Sequence, residues 1–165
     1  MINYSPTVVK NYVGNVDEIM DHVEKYGKFT RRHPGDPTQH KAKINGPISH
    51  FHTWYSKDMP QETIDTIWKT IPDDKKHCTQ MVINKYEPGD YLVKHTDAMG
   101  GYWKFKLIFL TEGAPHFCWY DEQDNRIPVQ ESKGAMFNMD IGLYHEVTLI
   151  EPHEPIKYSL CLIYE

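Results

Sequence analysis

NKYEPGDYLVKHTD, running from Asn84 to Asp97, is the stretch on which the reading of this chain turns. It is broken by Pro88-Gly89, resumes at Tyr91 with strand-like residues, and closes on His95-Thr96-Asp97. Residues i and i+2 of a strand project to the same side. An imidazole and a carboxylate at 95 and 97 therefore share one side, with Tyr91 and Val93 lining it. Composition alone supplies about one His-x-Asp triplet in a chain like this, so the triplet has meaning only with further ligands.

The best third donor is His145, in GAMFNMDIGLYHEVTLIEP, where a turn at Asp140-Ile141-Gly142 precedes a strand. Two histidines and one carboxylate make the facial set that holds mononuclear iron and leaves adjacent positions open. Standing alone, His145 also reads as a half-buried strand histidine. The final strand, KYSLCLIYE, opens at Lys157 and puts Lys157, Ser159, Cys161 and Ile163 on one face. Tyr158, Leu160, Leu162 and Tyr164 take the other. A lysine heading the small-residue face needs an anion if it points into a barrel mouth. The alternative is a solvent-facing lysine at a strand end.

Around these segments the chain has a simple plan. Val16, Ile19, Met20, Val23 and Tyr26 recur at helical spacing, with Asn15 as the expected cap, and predict a helix to about Lys28. A second helix is expected from Pro60 to before Pro72, with Ile64, Ile67, Trp68 and Ile71 on one face. Between them TRRHPGDPTQHKAKINGP is polar and broken by Pro and Gly, and reads either as a substrate lid over residues 30–50 or as a plain connection. After the second helix the period becomes two. Strands are expected at Thr79–Tyr86, Tyr91–His95, Phe105–Leu110, His116–Tyr120, Gly134–Met139, Tyr144–Ile150 and Lys157–Tyr164. Two helices followed by about seven strands give an α+β, mainly β domain. The whole of 1–165 reads as one domain, with 1–78 as helical support and 79–165 as the core.

Composition narrows the function classes. A net charge of -5 disfavours a protein whose main affinity is for phosphate backbones. Three cysteines at Cys78, Cys118 and Cys161 suggest neither a disulfide framework nor a zinc knuckle. The N-terminal stretch lacks a signal-peptide pattern and no run reaches membrane-spanning length, so a cytoplasmic location and no membrane partner are expected. His50 and His52 share a strand face, as a second metal site or as ordinary polar residues, with no matched carboxylate evident nearby. His116 and His153, beside prolines, read as surface residues, while Tyr102, Trp103 and Trp119 read as core.

Taken together, Asn84-Lys85-Tyr86-Glu87-Pro88-Gly89, His95-Thr96-Asp97, His145 and Lys157 resemble the iron(II)- and 2-oxoglutarate-dependent oxygenases, in the branch holding prolyl 4-hydroxylases and AlkB-type dealkylases. The resemblance covers about half the chain. It implies a double-stranded β-helix, a jelly-roll or cupin-like barrel backed by the N-terminal helices. It further implies Fe(II) on His95, Asp97 and His145, with 2-oxoglutarate chelating the metal and O2 as co-reactant. Lys157 is then the partner of the distal carboxylate, helped by Tyr86, Asn84 and Ser159. The implied reaction is hydroxylation coupled to decarboxylation to succinate and CO2. A peptidyl residue such as proline comes first as substrate, because the anchor is a lysine; a nucleobase or a small metabolite follows, although nucleic acid is not favoured. AlkB-type enzymes carry arginines after the distal histidine, and the last strand here has none. The rival of another class is a non-catalytic cupin-like binding barrel.

Overall fold

The computed structural model describes residues 6–32, 49–73, 75–97, 104–140 and 142–164. Eleven strands are present among them: β1 Thr7–Val9, β2 Thr30–Arg32, β3 Ser49–Tyr55, β4 Cys78–Tyr86, β5 Tyr91–His95, β6 Lys104–Phe109, β7 Phe117–Tyr120, β8 Arg126–Pro128, β9 Met136–Asp140, β10 His145–Val147 and β11 Lys157–Tyr164. The helices are α1 Val16–Tyr26 and α2 Gln61–Ile67.

All seven expected strands form. Four others lie outside those seven ranges. β1, β2 and β8 are three residues long, too short for a period to show. In β3 two histidines mask the alternation of SHFHTWY. Residues before 79 thus supply three strands as well as helices.

The strands pair antiparallel in the order β1-β9-β6-β11-β4-β3-β5-β10-β7-β8, with β2 also on β3. β3 pairs β4 through His52–Tyr55 and β5 through Ser49 and His50, so one strand joins the two sheets where the surface turns. Two cores result. Leu160 and Leu162 of β11 point to the helices, packing with Ile19, Val23 and Ile67. Cys161 and Ile163, on the opposite face, join Tyr86, Phe109, Phe117 and Phe137 inside the curl. This is the double-stranded β-helix that the resemblance implies, a mainly β jelly roll backed by helices.

Both helices differ from expectation in detail. Asn15 does not cap α1 with its side chain. Its amide donates to the Thr66 carbonyl (2.8 Å) and its oxygen accepts from the Thr70 hydroxyl (2.8 Å), which ties α1 to α2. α1 ends at Gly27, where a β-carbon would lie 2.4 Å from the Val23 carbonyl oxygen. α2 stops at Ile67, short of Pro72. There the Thr66 hydroxyl donates to the Glu62 carbonyl (2.8 Å), a back-bond that competes with helix propagation.

His116 is a correction: it is buried, with Nδ1 2.8 Å from the Thr148 hydroxyl and Nε2 against the Glu154 carboxylate. His153 is exposed, as expected. Trp119 is half-buried against the inner core. Tyr102 and Trp103 lie outside the described residues, as does the loop at 33–48.

Candidate metal centre and carboxylate anchor

β5 and β10 form one antiparallel ladder in which His95 and His145 are direct Cα partners. Side chains of such a pair leave the sheet on the same side, and the two imidazole rings lie 4.3 Å apart between centroids. Asp97 follows two residues beyond His95 and turns its carboxylate between them. His95 Nε2 is 3.5 Å from one Asp97 oxygen and His145 Nε2 is 3.2 Å from the other.

The far side of each ring explains why the Nε2 atoms face inward. His95 Nδ1 lies 2.7 Å from the Val93 carbonyl oxygen and His145 Nδ1 2.9 Å from that of Leu143. A carbonyl only accepts, so both Nδ1 atoms carry their proton and each Nε2 is left facing Asp97, holding a proton shared with the carboxylate or, for a metal, a lone pair. Two lone pairs and a carboxylate converging in a half-buried space repel one another unless a cation or a proton joins them.

The spacing suits a metal. Ligands about 2.1 Å from an ion and at right angles to each other sit about 3 Å apart, close to the separations here. His95, Asp97 and His145 each offer one donor atom within 4.8 Å of the others. Burial works against ionisation of Asp97, but the bonds from His145 and His95 outweigh it and hold the carboxyl far below its usual range. Burial likewise opposes the charge on His95, and contact with Asp97 reverses the balance and raises its pKa. The donor set of two neutral imidazoles and one carboxylate fits iron(II).

The four residues expected around the cosubstrate also meet. Lys157 pairs with Tyr86 across the β4–β11 ladder, and Ser159 pairs with Asn84. The four side chains therefore form two adjacent rows on the inner face. Tyr86 is buried, which raises its hydroxyl pKa, and it stacks on Phe51 at 5.3 Å. The Lys157 ammonium lies 5.1 Å from the centre of the Phe109 ring. Lys157 is 7% exposed, so it is not the solvent-facing lysine of the alternative reading.

One participant was missed. Glu131, 2% exposed, forms an ion pair with the Lys157 ammonium through Oε1. Its Oε2 accepts the Phe117 backbone N–H at 2.7 Å. Burial draws the lysine pKa down to about 7. In PVQESKG, Glu131 sits within a polar, turn-like run, and nothing in the local pattern distinguishes it from a solvated glutamate.

A second group corrects the view that His52 lacks a matched carboxylate. His52, Glu87 and Asp90 bring ligand atoms within 4.8 Å. Arg31 already supplies a cation there, 3.5 Å from Asp90 and 3.4 Å from His52 Nε2. Asp90 also accepts the Glu87 N–H at 2.8 Å, closing the Pro88-Gly89 turn. The group therefore reads as a turn that holds β4 and β5 in place.

Solved structures share this architecture. A 2OG-Fe(II) oxygenase family oxidoreductase from Burkholderia pseudomallei superposes with a TM-score of 0.73 over 97% of this chain and 84% of that one, at 12% identity. The fold is that of the 2-oxoglutarate- and iron(II)-dependent oxygenases. A prolyl hydroxylase from Trichoplax adhaerens, in complex with a hypoxia inducible factor oxygen degradation domain peptide fragment, matches at a TM-score of 0.68 and 12% identity, over 98% and 84% of the two chains. A non-heme alpha ketoglutarate dependent epimerase, SnoN from nogalamycin biosynthesis, matches at 0.69 and 11% identity, over 97% and 77%. No family model and no curated protein sequence matches the chain. Among the described residues no helix is long and apolar enough to cross a membrane.

Proposed function

We propose that the protein is an iron(II)- and 2-oxoglutarate-dependent dioxygenase that hydroxylates an organic substrate. The observation that carries the reading is the convergence of His95 Nε2, His145 Nε2 and the Asp97 carboxylate, with both Nδ1 atoms tied to backbone carbonyls. The shared fold supports it. Iron with 2-oxoglutarate supplies oxygen activation coupled to decarboxylation of the keto acid to succinate and CO2.

The chain's part is positional. His95, Asp97 and His145 would hold the metal. Lys157 offers a buried ammonium to the distal carboxylate, with Ser159, Asn84 and the Tyr86 hydroxyl close by as hydrogen-bond donors. The apolar wall of Phe109, Phe117 and Phe137 keeps water from the space between anchor and metal.

The first substrate class is a peptidyl residue such as proline, in keeping with the lysine anchor and with the peptide held by one structural neighbour. A small organic metabolite is the second class, in keeping with the epimerase neighbour. The test is to incubate the protein with iron(II), 2-oxoglutarate and oxygen against peptide, nucleotide and metabolite pools. The expected result is succinate release matched by a gain of one oxygen atom in one pool. No succinate with any pool contradicts the reading.

A further inference from the structure

Among the described residues, the deepest charge pair inside the curl is the one between Lys157 and Glu131. Both side chains are at least nine-tenths buried. Each has a reason to stay charged only because the other is present, since an unpaired charge at this depth is very costly. Glu131 has no freedom to serve another cation without leaving the lysine bare. Its second oxygen is fixed by the Phe117 N–H, and Phe117 in turn packs 5.9 Å from the His145 ring. The carboxylate therefore approaches Lys157 from the wall that runs toward the metal ligands.

We propose that Glu131 is a built-in competitor for the cosubstrate: its carboxylate occupies the place on Lys157 that the distal carboxylate of 2-oxoglutarate takes. This rests on the oxygenase reading above and adds a residue to it. One ammonium in a dry pocket neutralises one carboxylate, and a second anion brought there raises the energy of both. Binding of 2-oxoglutarate thus requires Glu131 to withdraw from Lys157 or to take up a proton. Either cost is subtracted from the affinity for 2-oxoglutarate, and neither applies to a keto acid with an uncharged tail. Glu131 accordingly narrows the preference for a dicarboxylate that a free lysine would produce, and makes occupation of the anchor a switch between an internal and an external carboxylate.

The experiment is anaerobic calorimetry of the iron(II)-loaded protein with two probes, 2-oxoglutarate and 2-oxopentanoate, which has the same carbon chain without the distal carboxylate. Glu131→Gln keeps an oxygen for the Phe117 N–H and removes the charge. The expected result is a dissociation constant for 2-oxoglutarate lowered about tenfold or more, with that for 2-oxopentanoate unchanged. In a Lys157→Met background the same substitution is expected to have no effect on either probe, the signature of a coupling that runs through the lysine. An unchanged or weakened 2-oxoglutarate constant in Glu131→Gln overturns the inference while leaving the oxygenase reading in place. Should the Gln variant not fold, Glu131→Asp, which draws the charge back by one methylene, decides the same question: tighter 2-oxoglutarate supports the inference and an unchanged constant overturns it. Absence of 2-oxoglutarate binding in wild type and variant alike, with iron bound, overturns the cosubstrate reading itself and this inference with it.

Discussion

His95 and His145, fifty positions apart in the chain (145 − 95), are direct partners across a two-strand ladder, and their rings stand 4.3 Å apart. Register therefore makes the site. A one-residue slip of β10 against β5 would send the imidazole of His145 to the opposite face. Both rings are oriented by carbonyls of their own strand segments, so the donors are aimed before any ion arrives.

The first prediction follows from that preorganisation. His145→Ala and Asp97→Ala are expected to abolish iron(II) binding in calorimetry while leaving the far-ultraviolet circular dichroism unchanged. The side chains lost belong to the site, and the ladder that carries them is held by backbone bonds.

Lys157→Ala separates anchor from metal. Iron(II) affinity is expected to persist, and 2-oxoglutarate affinity to fall by roughly tenfold to a thousandfold, the range for losing one partner of a buried charge pair. Binding assays on the same preparation measure both. Loss of iron instead would assign Lys157 to the wrong role.

The fold has a polar clamp whose pH dependence has a defined sign. Asp73 accepts from the Tyr164 hydroxyl at 3.2 Å and pairs with Lys106 at 2.5 Å, and Tyr12 bonds it as well. Burial opposes its ionisation, yet these partners outweigh it and lower its pKa. A lowered carboxyl pKa contributes stability above the unfolded value, about 3.9, which is lost as pH falls through the folded value. Asp73→Asn is expected to cost about 1–3 kcal/mol at pH 7 in urea unfolding. The difference from wild type should shrink as pH is lowered from 5 toward 2.

Much of this architecture is legible in residue order, for a physical reason. β4 and β11 bury one set of alternate residues in each of the two cores, and the metal ligands fall on positions of fixed parity within or just beyond β5 and β10. Tyr86, Asn84, Lys157 and Ser159 likewise fall into register because they sit in long, well-patterned strands. What was not legible depends on contacts distant in sequence. Glu131 reaches Lys157 from a loop, the carboxylates near His52 belong to a turn that folds back on β3, and His116 is buried only because Glu154 and Thr148 come to meet it. No local period encodes such meetings.

Gly134 tests the packing of the sheet against the N-terminal segment. It has φ +82, and a β-carbon there would lie 2.7 Å from the Val13 carbonyl oxygen. The same glycine accepts the Val13 N–H at 3.1 Å and donates to Phe109 at 2.8 Å. Gly134→Ala is expected to destabilise the protein by about 1–3 kcal/mol, visible as a lower denaturation midpoint with an unchanged slope.

The most direct measurement of the central claim is an anaerobic titration of the protein with iron(II) and then 2-oxoglutarate, followed by visible absorption. A metal-to-ligand charge-transfer band is expected to grow to one equivalent of each and to be absent from His95→Ala and Asp97→Ala. A wild-type protein that shows no band, or a band that survives loss of His95 or Asp97, contradicts the assignment of the metal centre.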